Sequence, residues 1–155
     1  MFVLGTVFCM ATAASYAADN VVGLSLGSTR EERWLREKDV MEEQLKAAGV
    51  KLIVEFADMD ADKQEPQCRK MIDEDKIKVL IITPQDSEKA KSIVDYARSK
   101  GVKVIAYDRL IKNCDLDAYL SFDNVKVGEF EARGVVQAVS EGNFAYIGGS
   151  PTDNN

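Results

Sequence analysis

The sequence predicts an α/β fold with a doubly wound parallel sheet. Short apolar runs alternate with longer amphipathic stretches from Val21 onward. The run Val79 to Thr83 is continuous and apolar, as a strand buried on both faces of a parallel sheet requires. Glycines stand where helices should stop, at Gly49 and Gly101. With 46% hydrophobic and 30% charged residues, the 155-residue chain has the composition of an ordinary globular domain.

Each element has its own reason. Val21 to Leu26 is a strand, turned by Gly27-Ser28-Thr29 into a helix over Glu31 to Ala48. Trp34, Met41, Leu45 and Ala48 share one face of that helix. Lys51 to Ala57 is the second strand. Asp62 to Asp75 is the second helix, with Pro66 tolerated only in its first turn. Val79 to Thr83 is followed by a helix over Ser87 to Lys100, and Val102 to Tyr107 is the fourth strand. Tyr119 to Phe122 is a shorter strand, Val125 to Val139 a helix, and Phe144 to Ile147 a last strand running into Gly148-Gly149-Ser150. Crossovers between parallel strands should be right-handed.

Several function classes are excluded or weakened. A net charge of −6 argues against a sequence-independent grip on nucleic acid. The absence of histidine removes the commonest general base and metal ligand. No nucleophile–base set is visible, so no enzymatic activity and no cofactor are expected. Cys9, Cys68 and Cys114 lack metal-site or redox-motif spacing, and whether any of them meet is left open. Gly23 to Thr29 lacks the Gly-Lys-Ser/Thr end of a phosphate loop. Asp58-Met-Asp-Ala-Asp62 lacks the glycine and terminal glutamate of a calcium loop and reads as a solvated loop, with Asp62 capping the helix. Residues 1–18 read as an export leader: an apolar, uncharged stretch ends in Ser15-Tyr16-Ala17-Ala18 before Asp19. The stretch is short for a membrane span, and an uncleaved anchor is the alternative.

Open α/β sheets bind ligands outside the carboxyl ends of their strands. Three loops leave that rim, carrying Arg33-Trp34, Asp108-Arg109, and Asp153-Asn154-Asn155. An aromatic face with fixed carboxylates, guanidiniums and amides is the chemistry of a sugar site. The ring stacks on the apolar C–H face, and the polar groups take hydroxyls in pairs. Singly, Trp34 reads equally as a core residue, Arg33 as a solvated helix charge, and Asp108-Arg109 as a strand-end ion pair. Their convergence favours the binding reading.

Glu32-Arg33-Trp34, Ala106-Tyr107-Asp108-Arg109, Ser121-Phe122-Asp123-Asn124 and Gly148-Gly149-Ser150-Pro151-Thr152-Asp153-Asn154-Asn155 occur in this order. In these motifs the chain resembles the type I periplasmic sugar-binding proteins of bacterial ABC transporters, and their D-xylose-binding branch most. The resemblance implies that Arg33 and Trp34 hold and stack a pentose. It implies that Asp108 and Arg109 take ring-edge hydroxyls, and that Asp153 and Asn155 reach the sugar from a facing lobe. It also implies a first lobe over residues 20–122, with 123–155 forming a hinge and the truncated start of a second lobe. The implied partners are D-xylose or a related monosaccharide and a membrane permease. An alternative is a membrane-anchored sensor of the same fold reporting to a histidine kinase.

Overall fold

A computed structural model describes residues 20–153 and residue 155; the expected leader lies outside them. The elements run β1 (Val21–Leu26), α1 (Glu32–Ala47), β2 (Lys51–Phe56), α2 (Ala61–Asp73), β3 (Val79–Ile82), α3 (Lys91–Ser99), β4 (Lys103–Tyr107), β5 (Ala118–Leu120) and α4 (Asn124–Ala138). The strands form one five-stranded sheet in the order β2-β1-β3-β4-β5. Every pairing is parallel, with β1 held between β2 and β3. The expected fold class is therefore the observed one. The order reverses between β1 and β3, and the crevice that forms at such a switch point opens at the strand carboxyl ends.

The two sheet faces are covered unequally. One carries the larger core, where Cys68, Met71 and Ile72 of α2 and Ile93, Val94 and Ala97 of α3 pack on Leu80, Ile82, Val104 and Ala106. The other is covered by α1, whose Trp34 packs with Leu24 and Leu26 against Met41, Val54, Phe56, Ile81 and Tyr107. Cys68 and Cys114 are both free thiols.

The structure differs from expectation in four places. Asp60, not Asp62, caps α2, accepting from the backbone N–H groups of Asp62 and Lys63 at 2.8 and 3.2 Å. The helix thus begins earlier, and Pro66 sits beyond its first turn, on an exposed face where water can meet the carbonyl that proline leaves without a donor. Regular helix in α3 starts only at Lys91, because residues 87–90 form a turn held by the Asp86 carboxylate on the N–H groups of Glu88 and Lys89. The short fifth strand is displaced to Ala118–Leu120. Phe144 to Ile147 is not a strand; it pairs with no described strand, and Tyr146 and Ile147 are 94% and 92% exposed. Helix α4 likewise shows Val125, Phe130, Val135 and Val136 to solvent. Among the described residues no helix is long and apolar enough to cross a membrane.

Candidate functional site

The carboxyl rim gathers the residues singled out in the sequence. At the end of β4, Asp108 adopts a left-handed conformation (φ 66°), which aspartate tolerates better than most residues. Its N–H donates to the Leu120 carbonyl at 2.8 Å, and its own carbonyl accepts from Ser121 Oγ at 2.6 Å. The backbone at the strand end is thereby tied to β5 and the segment after it. The side chain is buried and would be costly to leave without a partner. Arg33 supplies one through Nη2 to Oδ1, and Asn155 Nδ2 approaches Oδ2 at 3.4 Å.

Arg33 comes from the first turn of α1. Its guanidinium carbon lies 4.5 Å from the centroid of the Trp34 ring, and its Nε donates to Glu37 Oε1 at 2.6 Å. The other Glu37 oxygen accepts from Tyr107 Oη at 2.8 Å. Burial acts against the charge on Arg33, but the bonds to Glu37 and Asp108 outweigh it and hold the group above the ordinary arginine value. Burial, with the Glu37 bond adding to it, pushes the Tyr107 phenol up to about 12, so the hydroxyl keeps its proton as a donor.

Arg109 occupies the next position on the rim. Its Nε lies 2.8 Å from Asp153 Oδ2 as an ion pair, although the N–H is not aligned for a hydrogen bond. The loop carrying Asp153 is fixed to the rim at other points. Thr152 accepts from the Ser87 N–H at 3.2 Å, and Asn155 Oδ1 accepts from Asn124 Nδ2 at 2.7 Å. Asn154 lies outside the described residues. Arg33, Asp108, Arg109, Asp153 and Asn155 are therefore brought together.

Trp34 is placed differently from its neighbours. It is 5% exposed, and Arg33 lies over its ring, so the placement matches its reading as a core residue. A more open aromatic side chain at the rim is Phe122, 69% exposed, with its ring centroid 5.9 Å from the Arg33 guanidinium carbon. A small cavity of about 230 Å³ is lined there by Arg33, Tyr107, Asp108, Leu120, Ser121 and Phe122. Sequence reasoning assigned no site role to Glu37 or Tyr107. Their contacts span 70 positions of chain and had no local signal. Among the described residues no cluster of histidine, cysteine or acidic side chains is placed to hold a metal. In the Asp58 to Asp62 loop, Asp58 pairs with Lys63 and Asp60 caps α2.

A parallel sheet with a polar crevice at the carboxyl ends of its strands, and paired charges bridging to a following segment, has the form of a ligand-binding α/β lobe. The family model described as periplasmic binding protein domain matches residues 22–155, and the chain belongs to that family. It is 41% identical to the D-xylose-binding periplasmic protein of Haemophilus influenzae over 93% of this chain and 43% of that one. Its identity to the D-xylose-binding periplasmic protein of Escherichia coli is 36%, over 100% of this chain and 47% of that one. The chain thus spans about half the length of these curated relatives. A solved solute-binding protein of an ABC transporter from Clostridium phytofermentans, with bound β-D-glucose, matches with a TM-score of 0.78. That match has 30% identity over 87% of this chain and 44% of that one.

Proposed function

We propose that this chain supplies one wall of a sugar cleft in the periplasmic component of an ABC importer, with D-xylose or a closely related monosaccharide as cargo. In this reading residues 20–122 form the first lobe, 123–155 carry the hinge and the start of a second, and closure of the lobes presents the loaded protein to a membrane permease. The observation that carries it is the convergence of Arg33, Asp108, Arg109, Asp153 and Asn155 on one rim. Relatedness to D-xylose-binding proteins at 36% and 41% supports the choice of sugar. The matched relatives lend the sensor alternative no support.

A pyranose presents hydroxyl pairs on its edge and C–H groups on its faces. Asp108 accepts from an edge hydroxyl while Arg109 donates to its neighbour, and Asp153 and Asn155 trade their present partners for the sugar. Phe122 offers the open aromatic face, and Trp34 forms the shelf beneath Arg33. No covalent step is involved.

Calorimetric titration with D-xylose, D-ribose and D-glucose tests the reading. It is run on this chain and on a two-lobed protein in which the carboxyl-terminal half of the Haemophilus influenzae relative continues it. D-xylose should bind the two-lobed protein one to one, and this chain alone weakly or not at all. Arg109→Ala should weaken binding at least about tenfold, because a sealed cleft leaves Asp153 and the sugar hydroxyls short of a donor. Tighter binding of ribose than xylose overturns the choice of sugar. No sugar binding by the two-lobed protein overturns the function.

A further inference from the structure

We propose that Glu37 is the positioning residue of the rim. It holds the Arg33 guanidinium on the Trp34 ring so that Nη2 meets Asp108 and Nη1 is left for a ligand hydroxyl. The proposal rests on the sugar-cleft reading above. Arg33 Nε donates to Glu37 Oε1 at 2.6 Å, Nη2 donates to Asp108, and Nη1 makes no hydrogen bond among the described residues. Glu37 is itself fixed, because Tyr107 Oη donates to its second oxygen at 2.8 Å from β4. The guanidinium is therefore held on three sides, by an indole face, a carboxylate of its own helix and a carboxylate at a strand end.

A role in helix stability does not explain the arrangement. Arg33 lies in the first turn of α1, where the helix dipole disfavours a cation. In an i,i+4 pair the cation-first order is the weaker one for an isolated helix. Both preferences argue for an acid at this position. A long, half-exposed arginine also samples many rotamers, and a ligand that must freeze them binds less tightly. Holding the fork in advance removes that cost. The bond to Nε is what achieves this, since it fixes the plane of the guanidinium while leaving an amino group free.

The test combines a double-mutant cycle in the two-lobed protein with a direct readout in the 155-residue chain. Glu37→Gln keeps the size and removes the charge. D-xylose affinity should fall about five- to tenfold, and Tyr107→Phe should lower it about two- to threefold by releasing Glu37. In an Arg33→Ala background, Glu37→Gln should cause no further loss, because the residue acts only through Arg33. In the 155-residue chain, the Arg33 Nε–Hε proton should exchange slowly with water and at near-bulk rates in Glu37→Gln, with the same thermal midpoint. Unchanged affinity in Glu37→Gln, or losses that add to those of Arg33→Ala, overturns the proposal. If wild type binds no sugar, the cleft reading fails. The proton-exchange measurement then still decides whether Glu37 holds Arg33, and equal exchange in both proteins overturns it.

Discussion

Replacing Gln64 by leucine should destabilise the protein far more than its modest change in volume suggests. Gln64 lies on the buried face of α2, 1% exposed, in line with Cys68, Met71 and Ile72. Its Nε2 donates to Ser25 Oγ at 3.0 Å and to the Thr83 carbonyl at 2.9 Å, and its Oε1 accepts from the Gln85 N–H at 2.9 Å. One amide thus ties a helix to the ends of β1 and β3 and to the loop that follows β3. Leucine fills nearly the same space, so the cavity contribution is small. The Thr83 carbonyl keeps a donor in Gln85 Nε2, at 3.0 Å. The Ser25 hydroxyl and the Gln85 N–H lose their partner. A buried polar group left unpaired costs about 1–3 kcal/mol, and Gln85 is only half-buried, so a total of about 2–4 kcal/mol is expected. With a urea slope of roughly 2 kcal/mol/M, the unfolding midpoint should fall by about 1–2 M. Adding Ser25→Ala to Gln64→Leu should restore part of the loss, because it removes one of the two orphaned groups. A midpoint within about 0.3 M of wild type, or no recovery in the double variant, refutes the reasoning.

Three further outcomes are expected. The apolar side chains Val125, Phe130, Val136, Val139 and Ile147 stand in water, each forgoing part of the roughly 1.5–3 kcal/mol of full burial, so the 155-residue chain should self-associate. Sedimentation velocity should show this, with Phe130→Glu reducing it; a monodisperse monomer with fully protected 125–147 amides would contradict it. Burial pushes the Cys68 thiol up to about 12 and raises the half-buried Cys114 less, so in a Cys9→Ser background a thiol reagent at pH 8 should label Cys114 first. Labelling of Cys68 before unfolding would refute that order. The N–H groups of Lys89 and Glu88 hold the Asp86 carboxyl below the ordinary aspartate range. A depressed folded-state value means that its contribution to stability is complete above the unfolded value and is lost as pH falls through the folded one. Carbon-13 titration of the carboxyl should show this, and a midpoint at or above the ordinary value would refute it.

The strands were legible because each apolar run is bounded by residues that cannot continue it. The ends of α1 and α3 were legible for a conformational reason. Gly49 and Gly101 adopt φ values of 72° and 75°, where a side chain would be strained. The stretch Phe144 to Ile147 has the composition of a strand, but a strand exists only with a neighbour, and composition does not say whether one is at hand. Asp62 and Asp60 are equally good caps by type, and only backbone geometry separates them. The rim itself was visible as Arg33, Asp108, Arg109, Asp153 and Asn155, because charges and amides at strand ends are conspicuous against apolar runs. Its support was not. Glu37 and Gln64 look like solvated helix residues until the strands that they reach are placed beside them.

The position of β1 has a consequence for the order in which the chain can mature. The first described strand, β1, is an interior strand, and its second neighbour, β3, is complete only at Ile82. From Leu26 to Ile82 is 56 residues, so a chain that emerges from its amino end presents β1 and β2 well before that partner. During that interval β1 and β2 form at most a two-stranded ribbon, which is too small to be stable in water. Its apolar residues and open edge are then available to other nascent chains. A chain ended between Phe56 and Val79 should therefore aggregate more than one ended well after Ile82.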